Sequence, residues 1–244
     1  MERSHVNNYI VKAMSFYYEK GIILPEFAFW TLQDWFDIYN DDERLMSVDY
    51  MLKRGVGWDV TDFGLGKNYI TTLFTYFNGS PLSPNGLSLK YIFRNNTGSP
   101  PHIHIKKTET VVNMGPGVLE VMLWNSSGVG NSVTVSINSQ IKNYHAGEVI
   151  VIPPGGIIEV TPSHKHSYKA RGPVLVGENS SYNDDIIDNI FDPGVVRFPP
   201  ITEDLAECGY PINRIYPLWN DVSSREKIKQ LETLYRRAMS TSLC

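Results

Sequence analysis

The chain has 244 residues, 42% of them hydrophobic and 20% charged, and 26 acidic against 22 basic side chains give a formal net charge of -4. That length can bury a large core, and the acidic balance argues against general nucleic-acid binding, which needs a basic surface. Cys208 and Cys244 are the only cysteines, too few for a disulfide framework, so a reducing compartment is expected. The sequence holds no apolar run of about 18 residues, which predicts no membrane span. Its N-terminus is polar and aromatic, which predicts no secretory leader and a cytoplasmic protein.

Taken in order, the chain opens with a predicted helix capped by Ser4, with Val6, Ile10, Met14 and Tyr17 on one face and Gly21 as its stop. An aromatic stretch follows, with Phe27, Phe29, Trp30, Trp35 and Phe36, read as packing of a helical cap on a sheet. The loop from Asp59 to Gly66 is rich in glycine but lacks the downstream lysine and strand-turn-helix setting of a phosphate cradle.

From Tyr69 to Val176 the pattern changes to short runs of Val, Ile, Tyr, Phe and Thr between Gly, Pro, Asn and Ser clusters. Strands are predicted at Ile70 to Phe77, Ser88 to Phe93, Val118 to Trp124, Val133 to Ile137, Val149 to Ile152, Ile157 to Val160 and Val174 to Val176. Many short strands at such spacing predict a mainly β protein, a barrel or double-sheet jelly roll. After Gly177 the chain turns loop-like and acidic. A last helix is predicted from Ser223, with Glu226 completing a capping box and Ile228, Leu231, Leu234 and Ala238 on its apolar face.

Two histidine pairs stand out, His102 with His104 and His164 with His166. Residues two apart on a strand share a face, so His102 and His104 project side by side. Glu109 has the wrong parity for one unbroken strand and joins them only if residues 105–108 bulge or turn. A third histidine from a neighbouring strand completes three neutral nitrogens and one carboxylate, a donor set that suits a divalent transition metal with positions left open.

The pattern of His102-x-His104, Glu109, the turn Gly115-Pro116-Gly117, and Pro162 followed by His166 resembles the cupin barrel. More narrowly, the chain is similar to the D-lyxose isomerase family of sugar ketol-isomerases. The similarity is carried by residues 24–30, 58–66, 102–113, and the block from Val174 to Asp185 with Asp188 and Asn189, then Arg197 and Glu203.

The resemblance implies a cupin jelly roll over 69–205, a helical N-terminal extension over 1–68, and a C-terminal extension with a helix over 206–244. It implies metal ligands at His102, His104, Glu109 and His166, the last chosen over His164 because it lies four residues after Pro162 and two before Tyr168. One divalent metal per chain is implied, manganese first, with cobalt, nickel, iron or zinc as alternatives. Its implied work is to interconvert D-lyxose with D-xylulose, and D-mannose with D-fructose, through a cis-enediol.

A separate carboxylate must then take the C2 proton: Glu203, or else Glu178 or Asp188. Lys90 is a candidate donor to a sugar oxygen if Ser88 and Ile92 also face inward. Arg197, Asp184 and Asp188 are candidates for holding hydroxyls. The implied partners are a small sugar and a second copy in a homodimer, with no nucleic acid or membrane. A cupin dioxygenase and a non-catalytic sugar-binding cupin are the alternatives.

Overall fold

The computed structural model describes residues 1–39, 42–80, 86–202 and 204. Among these, helices α1 (Arg3–Glu19), α2 (Leu32–Tyr39) and α3 (Asp42–Lys53) precede all the strands. The described residues divide into two compact units, one made of those in Met1–Val60 and Phe74–Tyr76 and the few described from Pro200 onward, the other of those in Thr61–Leu73 and Phe77–Pro199. The helix expected from Ser223 and the extension over 206–244 lie outside the described residues. No described helix is long and apolar enough to cross a membrane.

In the first unit, α1 buries Val6, Ile10, Ala13 and Tyr17, the stripe that a 3.6-residue period dictates. Gly21 takes a positive φ of 73° just past the helix end, as the sequence reading expects of the stop. Ser4 is not the cap. Glu2 holds that position, and Ser4 instead donates both its N–H and its hydroxyl to the carboxylate of Asp204, the N–H at 2.9 Å. Within the aromatic stretch Phe27 stacks on Phe74 at 5.3 Å, and beside it Trp58 stacks on Tyr17 at 5.9 Å. The Trp58 indole N–H, which needs a partner once buried, donates to the Ala28 carbonyl at 2.7 Å.

The described strands are β1 (Gly57–Thr61), β2 (Thr71–Asn78), β3 (Leu87–Asn95), β4 (His102–His104), β5 (Glu109–Asn125), β6 (Ser132–Ile137), β7 (Gln140–His145), β8 (Val149–Ile152), β9 (Ile157–Val160), β10 (His164–Ser181) and β11 (Asn189–Phe191). In the second unit the sheet runs β3-β10-β5-β9-β6-β7, with β8 on β5, β4 on β10 and β11 on β4. Its pairings are antiparallel. β7 escaped sequence reading because its side chains, Gln140 to His145, are exposed or half-buried and carry no apolar alternation.

Two long strands make the architecture. β5 pairs with β9 over Glu109 to Val112 and with β8 over Leu119 to Met122. β10 pairs with β4 at His166 and with β3 from Pro173 to Ser181. Both strands therefore change neighbours at mid-length, where Gly115-Pro116-Gly117 lies against Gly172-Pro173 and the β5–β10 register shifts between Arg171 and Val176. The glycine-proline stretch expected to form a turn is thus a bend inside a strand, where an irregular register and a missing side chain let the sheet fold over itself. The enclosed core is aliphatic, with Leu119, Val121, Leu123, Ile152, Ile158 and Val160 among its buried members.

A Cβ on Gly117 would meet the carbonyl oxygens of Arg171 at 2.5 Å and Pro173 at 2.8 Å, both fixed backbone. Gly117→Ala is therefore expected to destabilise the protein by about 1–3 kcal/mol, the usual cost of overpacking. Urea denaturation checks this, and an unchanged midpoint would contradict the role given to the bend.

Candidate metal centre

β4 is three residues long, and its alternation turns His102 and His104 inward, with Ile103 between them half-buried. The β4–β10 register sets His166 directly opposite His102. Residues 105–108 leave the strand, and Glu109 opens β5 as a buried side chain. The break that parity requires is present, and it carries Glu109 back to the histidines. Its Oε2 lies 3.2 Å from His104 Nε2 and its Oε1 lies 3.3 Å from His166 Nε2. His102, His104 and His166 present ligand atoms that all lie within 4.8 Å of one another, a group that can hold a metal ion.

The chemistry of these donors fits a cation. His102 Nδ1 lies 3.0 Å from the Pro100 carbonyl and His166 Nδ1 lies 3.3 Å from the His164 carbonyl. A carbonyl oxygen only accepts, so each Nδ1 carries the proton and each Nε2 is left with a free lone pair. His104 and His166 Nε2 are buried and make no hydrogen bond of proper geometry, which is costly unless another ligand satisfies them. Burial holds His102 well below the usual imidazole range, reinforced by His166 and His104. Burial and then the Lys107 ammonium lower His104. Neutral imidazoles are the form that ligates metal.

Glu109 is held in the opposite state. Burial alone would raise its carboxyl, but the Lys107 ammonium, with His104 and His166 beside it, outweighs burial and keeps it well below the ordinary carboxylate range. Lys107 Nζ lies 2.8 Å from Glu109 Oε2 and 2.9 Å from Glu178 Oε1. The Tyr168 hydroxyl donates to Glu109 Oε1 at 2.7 Å, and burial followed by the Glu109 charge raises Tyr168 well above the usual phenol range.

The remaining candidates fall into two groups. On β3, Ser88, Lys90, Ile92 and Arg94 are all buried on one face, the condition for Lys90 to point inward. Lys90 sits opposite Glu178 in the β3–β10 register, its Nζ 3.9 Å from Glu178 Oε1 and 3.8 Å from Asp185 Oδ1. Arg197 Nη2 lies 3.4 Å from Asp185 Oδ2. Asp188 and Asp184 serve the backbone, and Asp188 Oδ2 also lies 3.8 Å from His104 Nδ1. Asp188 accepts from the N–H groups of Lys106 and Lys107, and Asp184 accepts from those of Ile186 and Ile187. Glu203 lies outside the described residues. His164 stands apart from the other histidines, its Nε2 3.0 Å from the Thr134 carbonyl.

Sequence reasoning missed Lys107, Tyr168 and Asp185. Asp185 belongs to a chain of alternating charge, and its carboxyl, which burial would raise, is pulled far down by Lys90 and then Arg197. The Asn183-Asp184-Asp185 run signalled acid without saying which residue turns inward.

The sheet, its two bent strands and the inward histidines define a cupin barrel, and solved structures agree. L-ribose isomerase of Cellulomonas parahominis, with L-psicose or with L-ribose bound, aligns at a TM-score of 0.51 and 14% identity over 83% of this chain and 98% of that one. The family model for D-lyxose isomerase matches residues 1–213. The chain is 33% identical over 223 residues to a D-lyxose/D-mannose isomerase of Escherichia coli O157:H7, covering 84% of this chain and 93% of that protein. It is 34% identical over 218 residues, with the same coverage, to a D-lyxose/D-mannose isomerase of Serratia proteamaculans. The chain belongs to the D-lyxose isomerase family and is a sugar isomerase.

His102→Ala, His104→Ala and His166→Ala are each expected to strip metal from the protein, and His164→Ala to keep it. Elemental analysis of the four purified variants decides this. Metal lost in His164→Ala and retained in His166→Ala would reverse the assignment.

Proposed function

We propose that the protein is a metal-dependent aldose–ketose isomerase that interconverts D-lyxose and D-xylulose, and D-mannose and D-fructose, by proton transfer through a cis-enediol. The observation that carries this reading is the set of three buried imidazoles and one ionised carboxylate facing one another in the barrel. The relatives' shared activity on lyxose and mannose supports the choice of sugars. A divalent metal held by His102, His104, His166 and Glu109, manganese first and cobalt, nickel, iron or zinc as alternatives, would supply Lewis-acid polarisation of the sugar's C1 and C2 oxygens. The working protein in this reading is a cytoplasmic homodimer.

The residues of the chain do the rest. Glu109 belongs to the histidine group, so a second carboxylate must take the proton from C2 and return it to C1. Glu178 is engaged by Lys107 at 2.9 Å, which suits it to holding that ammonium beside Glu109. The resemblance to the family, through the Glu203-Asp204 pair, points to Glu203 as the base, with Glu178 or Asp188 as alternatives. Lys90 donates to a sugar oxygen, and Arg197, steadied by Asp185, binds a hydroxyl. Asp188 and Asp184 contribute by fixing the segments that carry Lys107 and Asp185.

A base that holds the proton between carbons can exchange it with solvent. Turnover in D2O is thus expected to place deuterium on C1 of the ketose or C2 of the aldose. Glu203→Gln is expected to cut exchange and kcat by about 100- to 10,000-fold with metal content unchanged. Full retention of the substrate hydrogen over many turnovers would contradict the enediol route. Exchange that survives in Glu203→Gln would move the base to Glu178 or Asp188. Turnover of xylose or glucose with none of lyxose would overturn the substrate assignment.

A further inference from the structure

We infer that Tyr168 is a positioning residue for Glu109: its hydroxyl sets the rotation of that carboxylate against the histidines and thereby how tightly the four-residue set holds a divalent cation. This rests on the metal-site reading above. Tyr168 follows His166 by two residues on β10, so the strand period turns both to the same face. Its ring meets the His166 ring edge-on at 5.3 Å, and it is 9% exposed.

A phenylalanine would fill the same volume. What the tyrosine adds is one hydroxyl, and that hydroxyl is spent on the carboxylate that faces the histidines, at 2.7 Å. The two donors on Glu109 divide its oxygens between them. Tyr168 takes Oε1, the oxygen 3.3 Å from His166 Nε2. Lys107 takes Oε2, the oxygen 3.2 Å from His104 Nε2. One donor at each end stops the carboxylate from rotating about its last bond. An ionised carboxylate has about four lone-pair sites, so two donors still leave electron pairs for a cation. The hydroxyl thus orients a ligand in the way that outer partners of metal sites do.

The test is a double-mutant cycle read by calorimetric titration of the apo protein with manganese alone. Tyr168→Phe is expected to weaken manganese binding about 10- to 100-fold, with the far-ultraviolet circular dichroism of the wild type. In a Glu109→Ala background the same change is expected to alter affinity less than about 3-fold, because the interaction it removes is already gone. The visible spectrum of the cobalt-loaded protein gives a second readout, and it is expected to differ between wild type and Tyr168→Phe at saturating cobalt. Wild-type affinity in Tyr168→Phe, or an equal loss in both backgrounds, would overturn the inference while leaving the metal site standing. Failure of the wild type to bind either metal would overturn both.

Discussion

Lys107 is the interaction on which the site depends. It is 3% exposed, and its ammonium touches Glu109 and Glu178 at once. Two carboxylates buried together repel each other and lose hydration, and without a cation between them one would take up a proton. Removing one member of such a buried pair typically costs about 3–5 kcal/mol, because a charge is left uncompensated. The loop that presents Lys107 is therefore fixed as firmly as the side chain. Asp188 accepts from two successive backbone N–H groups there, and its carbonyl accepts the N–H of Ile105 at 3.0 Å. From this point charges alternate through Glu178, Lys90, Asp185 and Arg197. Each cation lies near an anion, so this buried cluster is strongly polar yet close to neutral.

The fold supplies the geometry by bending two strands. β10 carries His166 and Tyr168 before its glycine-proline bend and Glu178 after it. β5 likewise starts with Glu109 before its own bend and continues with Leu119, Val121 and Leu123 in the aliphatic core. Polar chemistry and hydrophobic packing thus share the same strands at different heights. A shift of one residue in the β4–β10 register would turn His166 away from His102. Core packing and site geometry are therefore set by one pairing.

What the sequence revealed and what it hid follow from the same physics. Strand alternation made His102 and His104 legible as a pair, and parity showed that Glu109 needed a break before it. The resemblance to a known family selected His166. Parity alone does not separate it from His164, since both histidines are buried on β10 and His164 is held away by the Thr134 carbonyl at one ring nitrogen and by Thr161 at the other. Lys107 was hidden because a Lys-Lys pair in a turn reads as solvated surface, and nothing local shows that the second lysine is enclosed. Tyr168 served in the sequence only to mark His166, and its own role stayed hidden because its partner is 59 residues away in sequence. Ser4 has the composition of a cap, yet Asp204, 200 residues on, takes its donors.

The most direct test of the account is anomalous diffraction from crystals grown with manganese, recorded on either side of its absorption edge. The account predicts one manganese ion within ligand distance of Nε2 of His102, His104 and His166 and of a Glu109 oxygen, with the Lys107 ammonium still bridging Glu109 and Glu178. Manganese absent from that cluster, or held instead by His164 or by Asp185 and Glu178, would contradict it.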